Sequence, residues 1–331
     1  MSQAANYSAK KLQVDGVEVV RLSDAARKME VSIAPSVGNI AYEIKANGTE
    51  ILWSPYRSVG ELAAKPALSG NPFLEPWANR IDGESFWANG KQYLLNPHLG
   101  NLRYDPNHKP IHGLVSFTKD WTVTSVHADA HGAEATSTLE FWRRPEWMAQ
   151  FPFAHKIEMT YRLADVRLEV RTAIENFSTE PMPLVIGFHT YYQIPGVARD
   201  EWRVHLPVTE QVELSKVLIP TGERKPMDLA DPLPLAGKHL DDVFTGLKRG
   251  ADGRAQFFVE GGGKKISVFY GRAYTVAVVY APPGKDYICF EPMTGVTNGF
   301  NLAHAGLYKD LQSIPAGQRW TGSFWIEPSG F

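Results

Sequence analysis

Apolar and polar residues alternate with a period of two along most of the chain, and helical periodicity is scarce; this is the pattern of strands that bury one face. Ile157, Met159, Tyr161 and Leu163 alternate with Glu158, Thr160 and Arg162. After Ala164 to Val166 the pattern resumes as Leu168, Val170, Thr172 and Ile174 against Arg167, Glu169 and Arg171. These two runs predict a hairpin with a core face and a wet face. A second hairpin is expected from Gln256 to Glu260, turning through Gly261, Gly262 and Gly263 and returning as Ile266, Val268 and Tyr270, since glycine supplies the positive φ of tight turns. Thr275 to Tyr280 reads as a strand covered on both faces, and Phe324, Trp325 and Ile326 as a last strand. Strands spaced by turn signals from end to end predict an all-β sandwich or barrel.

The 331 residues can bury one large core or two ordinary ones. No Ser, Gly or Pro-rich linker divides two differently composed halves, so one domain over residues 1–331 is expected. Pro220 to Pro234 reads as a long surface connection between strand-like stretches. Glycine (28), proline (23), an aromatic content of 11% and nine tryptophans fit a turn-rich β-protein.

Charge and cysteine usage then remove function classes. A formal net charge of -2 and a pI near 6.6 leave no field to attract nucleic acid or an anionic membrane. The start, MSQAANYSAKK, has no apolar signal region, and the longest apolar run, Tyr274 to Tyr280, is far short of the roughly 20 residues that span a bilayer. A soluble, cytoplasmic protein is expected. The lone cysteine, Cys289, sits in an apolar run and reads as a buried, inert thiol. There is no G-x-S-x-G elbow, P-loop, dinucleotide glycine fingerprint or H-E-x-x-H. The histidine pairs His108/His112 and His127/His131 have a zinc-like spacing, but neither lies on a helical pattern, so solvated surface is expected for both.

Four clusters mix polar, charged and aromatic residues in a way a plain strand does not need. They are Asn71 to Ile81 with Asn79 and Arg80, Ile111-His112-Gly113, Ile186 to Tyr192 with His189 beside two tyrosines, and Ile288 to Thr294 with Glu291. Taken singly, each has a bland reading as core histidine, surface ion pair or turn carboxylate. Together they hold a carboxylate, histidines, an arginine, an asparagine and aromatic faces, a set able to bind a neutral polyol and move its protons.

In these segments the sequence resembles the aldose 1-epimerases, or galactose mutarotases, in order from about Val14 to Glu327. The matching stretches are P-x-A-N-R-I at Pro76 to Ile81, H-G at His112 with Trp121 after it, and N-F-S-x-x-P-M-P at Asn176 to Pro183. They continue with G-F-H-x-Y-Y at Gly187 to Tyr192, L-D-D-V-F at Leu240 to Phe244, and C-F-E-P-M-T at Cys289 to Thr294. The resemblance implies a β-supersandwich of large, mostly antiparallel sheets and an isomerase that interconverts the α and β anomers of free aldohexoses such as glucose or galactose. It implies Glu291 as general base and His189 as general acid, His112 and Arg80 on sugar oxygens, Asn79 supporting Arg80, and Tyr191 and Asp241 as further substrate contacts. Two departures stand out: Tyr274 to Tyr280 has no glutamine to match the one the family uses there, and Thr190 stands where many members have proline.

Ring opening takes a proton from O1 and gives one to the ring oxygen, so a carboxylate and an imidazolium suffice, with no cofactor or metal. At reference values near 4.3 and 6.5, glutamate is expected to be ionised and the histidine to be held protonated by a neighbouring carboxylate. Two other readings compete. A hexose-6-phosphate epimerase would need a cationic pocket, for which Arg143 and Arg144 are candidates, and a non-catalytic sugar sensor would not need both Glu291 and His189.

Overall fold

The computed structural model describes residues 6–331; the first five residues of the start read above lie outside it. Every pairing between its strands is antiparallel, and three sheets carry most of them. A five-stranded meander is formed by Tyr7–Val14, Val17–Asp24, Met29–Ala34, Ile40–Ala46 and Thr49–Glu50. A nine-stranded sheet has His155–Ala164, Arg167–Asn176, Arg319–Ser329 and Lys264–Tyr270 side by side at its centre. An eight-stranded sheet is built around Leu240–Thr245, Val276–Ala281 and Ile288–Met293. Helices are confined to short segments such as Val59–Ala64 and Gly299–His304. Among the described residues, no helix is long and apolar enough to cross a membrane.

The alternation read from the sequence places each side chain. In the first hairpin Leu163 faces Leu168 and Ile157 faces Ile174, with Asp165 and Val166 turning at φ 50° and 65°. In the second, Gly261 remains in the strand Ala255–Gly261, and Gly262 and Gly263 alone make the turn, at φ 57° and 79°. Val276–Ala281 is covered on both faces, as a central strand must be when both sides of its sheet are packed. One correction concerns Pro220 to Pro234, which is not a bare connection. Pro220–Pro226 pairs with Glu210–Leu214, and Leu233–Pro234 pairs with Arg203–His205, each as the outermost strand of its sheet. Proline has no N–H to give to a ladder, and an edge is where that loss costs least.

The nine- and eight-stranded sheets meet through large rings. Phe188 lies 4.8 Å from Phe324 and Phe257 lies 6.0 Å from Phe290, centroid to centroid, all within one continuous core. Ala277, Val279 and Phe290 turn toward that core, so the alternate residues Val278, Cys289, Glu291 and Met293 occupy the opposite face of the eight-stranded sheet. The chemistry-bearing segments gather on this second face.

Two of them are tied together at Glu75. Its carbonyl accepts the amide of Leu114 at 2.7 Å, and Glu75 bridges Gly113 in parallel register. Its carboxyl is buried, with Oε1 2.7 Å from Nε2 of the equally buried His155, whose Nδ1 donates to the Phe153 carbonyl at 2.6 Å. Gly113 has φ 59°, and a methyl group there would overlap the Glu75 carbonyl. Gly113→Ala is therefore expected to cost more than about 2 kcal/mol, from backbone strain and overlap together. Gly90→Ala, where φ is 74° and nothing lies within 4 Å, should cost about 1 kcal/mol from the left-handed backbone alone. Urea unfolding of the two variants checks this, and equal losses would contradict the packing described.

Candidate functional site

Glu291 and His189 face each other because their strands are in register. Gly187 pairs with Met293 and Thr190 pairs with Phe290, so of the two residues between them on each strand, Phe188 falls opposite Pro292 and His189 opposite Glu291. His189 Nε2 lies 3.3 Å from Glu291 Oε1, and both side chains are almost fully buried, at 8% and 2% exposure. The His189 amide donates to the Pro72 carbonyl at 3.0 Å, which fixes the histidine between two short strands. Tyr191 stacks flat on the His189 ring at 4.7 Å and 13°. Tyr280 approaches the same ring at 6.1 Å, edge on.

His112 stands beside His189 with ring centroids 5.3 Å apart and planes nearly perpendicular. The expectation of a solvated surface holds for His108, His127 and His131, which are exposed, and fails for His112, which is buried at 7%. The reason is the tie at Gly113, which draws the preceding residue inward. His112 has φ 61°, and its amide donates to the carbonyl of Asn79, itself at φ 59°. Two left-handed residues other than glycine, bonded to each other, make a strained crossing of the kind that persists where surroundings over-determine it.

Arg80 is held from two sides. Its Nε donates to Asp105 Oδ2 at 2.7 Å and its NH1 to Asn79 Oδ1 at 2.9 Å, which leaves the remaining N–H groups for other acceptors. Asp105 is oriented in turn by the amides of Asn107 and Lys109 on its other oxygen, at 2.9 and 2.8 Å. Arg103 donates to the carbonyl of His112 at 2.6 Å and to Ser116 Oγ at 2.9 Å. Sequence reasoning missed Arg103 and Asp105, because their segment reads as a Pro and His-rich loop with no local motif.

Burial decides the ionisation. Glu291 is raised well above the ordinary glutamate range by burial and by the charge of Asp241, with Arg80 opposing. His189 is pushed down to about 3 by burial and by the cations Arg80 and Arg103. His112 is lowered in the same way, by burial and by His189, Arg103 and Arg80. Both shifts run against the expected carboxylate and imidazolium: burial favours the uncharged form of each group when no ligand is present. Asp241 is itself raised by burial, and Cys289 is a buried thiol raised by burial and by Glu291. Among the described residues, Glu291 Oε2, His189 Nδ1 and His112 Nδ1 are buried without a hydrogen-bond partner, a cost that native cores tolerate at few places. The arrangement can accept and donate protons on one ligand while Arg80 and His112 hold its oxygens.

Arg143 and Arg144, the candidate phosphate-binding cations, are both spent on carboxylates: Arg143 pairs with Glu140, and Arg144 grips Asp120 with two nitrogens.

The family model described as aldose 1-epimerase matches residues 16–327. The structure is similar to a galactose mutarotase-like protein from Clostridium acetobutylicum, with a TM-score of 0.87, 22% identity and coverage of 99% of this chain and 100% of that one. It is also similar to galactose 1-epimerase from Lactobacillus acidophilus NCFM, with a TM-score of 0.73, 14% identity and coverage of 98% and 99%. At these identities the likeness carries the fold, an all-β arrangement of the galactose mutarotase type.

The Arg80 brace has a testable signature in stability. Burial works against the Asp105 carboxylate, but the bonds from Arg80 and from the amides of Lys109 and Asn107 outweigh it and hold its pKa below the ordinary value. A depressed folded pKa stabilises the fold above the unfolded pKa, near 3.9, and that contribution is lost as pH falls through the folded value. Asp105→Asn should thus destabilise the protein by about 1.5–3 kcal/mol at neutral pH, with the difference shrinking in acid. Denaturant unfolding at two pH values checks it; a difference that does not depend on pH would contradict the brace.

Proposed function

The chain belongs to the aldose 1-epimerase family, and from that premise we propose that it interconverts the α and β anomers of free aldohexoses, with Glu291 and His189 moving the protons. The observation that carries this reading is the 3.3 Å separation of a carboxyl and an imidazole, both withdrawn from water, beside a braced arginine.

A bound sugar changes which form of the pair is favoured. Transfer of the shared proton from Glu291 to His189 makes a carboxylate and an imidazolium without exchange with solvent, and the number of protons stays the same. The O1 hydroxyl then donates to the Glu291 carboxylate, and the ring oxygen accepts from His189 Nε2–H. Ring opening moves the O1 proton to Glu291 and the Nε2 proton to O5, as the C1–O5 bond breaks and C1=O1 forms. The products of this step are the open-chain aldehyde and the neutral pair that burial prefers. Desolvation therefore favours the step that discharges the pair. Rotation about C1–C2 presents the other carbonyl face, and the reverse transfers close the ring to the other anomer. Arg80, backed by Asn79 and Asp105, and His112 hold the sugar oxygens, and Tyr191 and Asp241 complete the contacts.

Two features support free aldoses over phosphate esters and a catalyst over a sensor. Arg143 and Arg144, the arginines read from the sequence as phosphate candidates, are already neutralised by Glu140 and Asp120, whereas phosphate recognition draws on several charge-assisted bonds. Binding alone does not require a matched acid and base at hydrogen-bonding range.

NMR exchange or polarimetry with fresh α-D-glucose and α-D-galactose tests the proposal. Wild type should exceed the spontaneous rate, and Glu291→Gln or His189→Asn should each lose about 10²–10⁴ in kcat, with smaller losses for His112→Asn. A folded Glu291→Gln with a near wild-type rate would remove Glu291 from the mechanism, and a far higher kcat/KM for glucose 6-phosphate would replace the substrate.

The pH dependence follows from the shifts. Because Glu291 is raised and His189 lowered, the pair keeps one proton through the interval in which free glutamate and histidine titrate. The catalytic rate should be flat from about pH 5 to about pH 8, and a limb near 6.5 would contradict the one-proton pair. Glu291's raised pKa also lowers fold stability once pH rises above the unfolded glutamate value, since the unfolded chain ionises freely while the folded one does not. Glu291→Gln should therefore be at least as stable as wild type near pH 8.

A further inference from the structure

The ladder on the outer side of His189 is incomplete where the histidine sits. Gly187 pairs with Leu74 and Phe188 with Phe73. The same register continues through Gly70 to Pro72, since the His189 amide donates to the Pro72 carbonyl at 3.0 Å and the Tyr191 amide to the Gly70 carbonyl at 2.8 Å. In an antiparallel ladder each such pair exchanges two bonds. Pro72 has no N–H to return, and the Gly70 amide turns away to the Trp53 carbonyl at 3.1 Å. Between these one-sided pairs Thr190 stands opposite Asn71, at the kind of position where facing side chains come closest. Thr190 Oγ1 donates to Asn71 Oδ1, and both residues are fully buried. Asn71 is anchored in turn to the five-stranded meander, its amide donating to the Ala41 carbonyl at 3.0 Å.

We propose that Thr190 is a positioning residue for His189: its hydroxyl bond to Asn71 replaces the ladder bonds that Pro72 and Gly70 do not return, and so fixes the imidazole against Glu291. The proposal rests on the epimerase reading for the rate it affects, and on the ladder for the geometry. Side chains alternate across a strand, so Thr190 faces the core with its partner Phe290, while His189 faces the site. Thr190 therefore reaches no ligand and acts only through the backbone it shares with His189. On the inner side that backbone is held by pairing with Ile288–Met293. On the outer side, from His189 to Tyr191, it hangs on two single amide bonds and the Thr190–Asn71 link. The link joins the strand of His189 to a residue held by another sheet, so it resists a small slide that two amide bonds alone permit. A slide of that size matters at this point, because the imidazole and the carboxyl meet at 3.3 Å and proton transfer tolerates little misplacement.

The test compares wild type with Thr190→Val and Thr190→Ala, which lack the hydroxyl, and with Thr190→Ser, which keeps it. Two quantities are measured on samples that circular dichroism shows to be folded: α/β exchange of glucose and galactose by NMR, and the ¹⁵N signals of the His189 ring. Thr190→Val should lower kcat about tenfold and change KM less than about twofold, and Thr190→Ser should keep most of the wild-type rate. Asn71→Ala should lose about as much as Thr190→Val. The double variant should lose no more than the larger single loss, because each change removes the same bond. If Thr190→Val does not fold, the Ser and Ala variants separate the hydroxyl from the methyl group. Near wild-type kcat in a folded Thr190→Val or Thr190→Ala overturns the proposal. An equal loss in Thr190→Ser also overturns it, since packing of the methyl group would then be the cause. If wild type interconverts no sugar, the epimerase reading falls and the ring signals decide the positioning role. Signals shifted or broadened in Thr190→Val and Thr190→Ala and restored in Thr190→Ser uphold it; unchanged signals overturn it.

Discussion

Keeping a carboxyl and an imidazole together out of water is the constraint on which the rest of this structure depends. Either group alone, charged and buried, would cost several kcal/mol, and burial pushes both toward their uncharged forms. The fold holds the pair by ladder register: one strand carries Glu291, two short strands on either side of His189 pair with it, and the Pro72 carbonyl takes the His189 amide between them. Asp241 and Arg80 act on Glu291 with opposite charge, the first raising its pKa and the second lowering it. Under the proposed function, the same desolvation that makes the ionised form costly at rest favours its discharge on ring opening.

The polar flank is built with comparable economy. Arg80 spends two of its five N–H donors on Asn79 and Asp105 and arrives at the site already oriented. Asn79 and His112 accept left-handed backbones to meet there, and the Glu75 carbonyl, the Gly113 close approach and the Glu75–His155 contact absorb that strain in the buried layer behind. Rigidity at the site thus comes from the buried layer behind it.

Much of the fold was legible because period-two alternation is a direct imprint of a half-buried strand, as in the hairpin of Ile157–Leu163 and Leu168–Ile174. Pro220 to Pro234 was misread because proline suppresses strand signals even where an edge tolerates it. The seven candidate site residues stood out through short ordered motifs that six separate stretches share with one family. Arg103 and Asp105 did not, since their role comes from reaching across to His112 and Arg80, which no local spacing records. Nor could the ionisation be read from composition: a reference pKa belongs to a solvated group, and the withdrawal of Glu291 and His189 from water exists only once the sheets have packed.

The single shared proton can be observed directly. In protein labelled with ¹⁵N-histidine, the ring nitrogens of His189, assigned with His189→Asn, are followed by two-dimensional NMR without sugar from about pH 5 to about pH 8. A neutral imidazole pattern unchanged over that range is the expected result. An imidazolium pattern at the acid end that titrates near 6.5 would contradict the buried one-proton pair and the ring-opening chemistry derived from it.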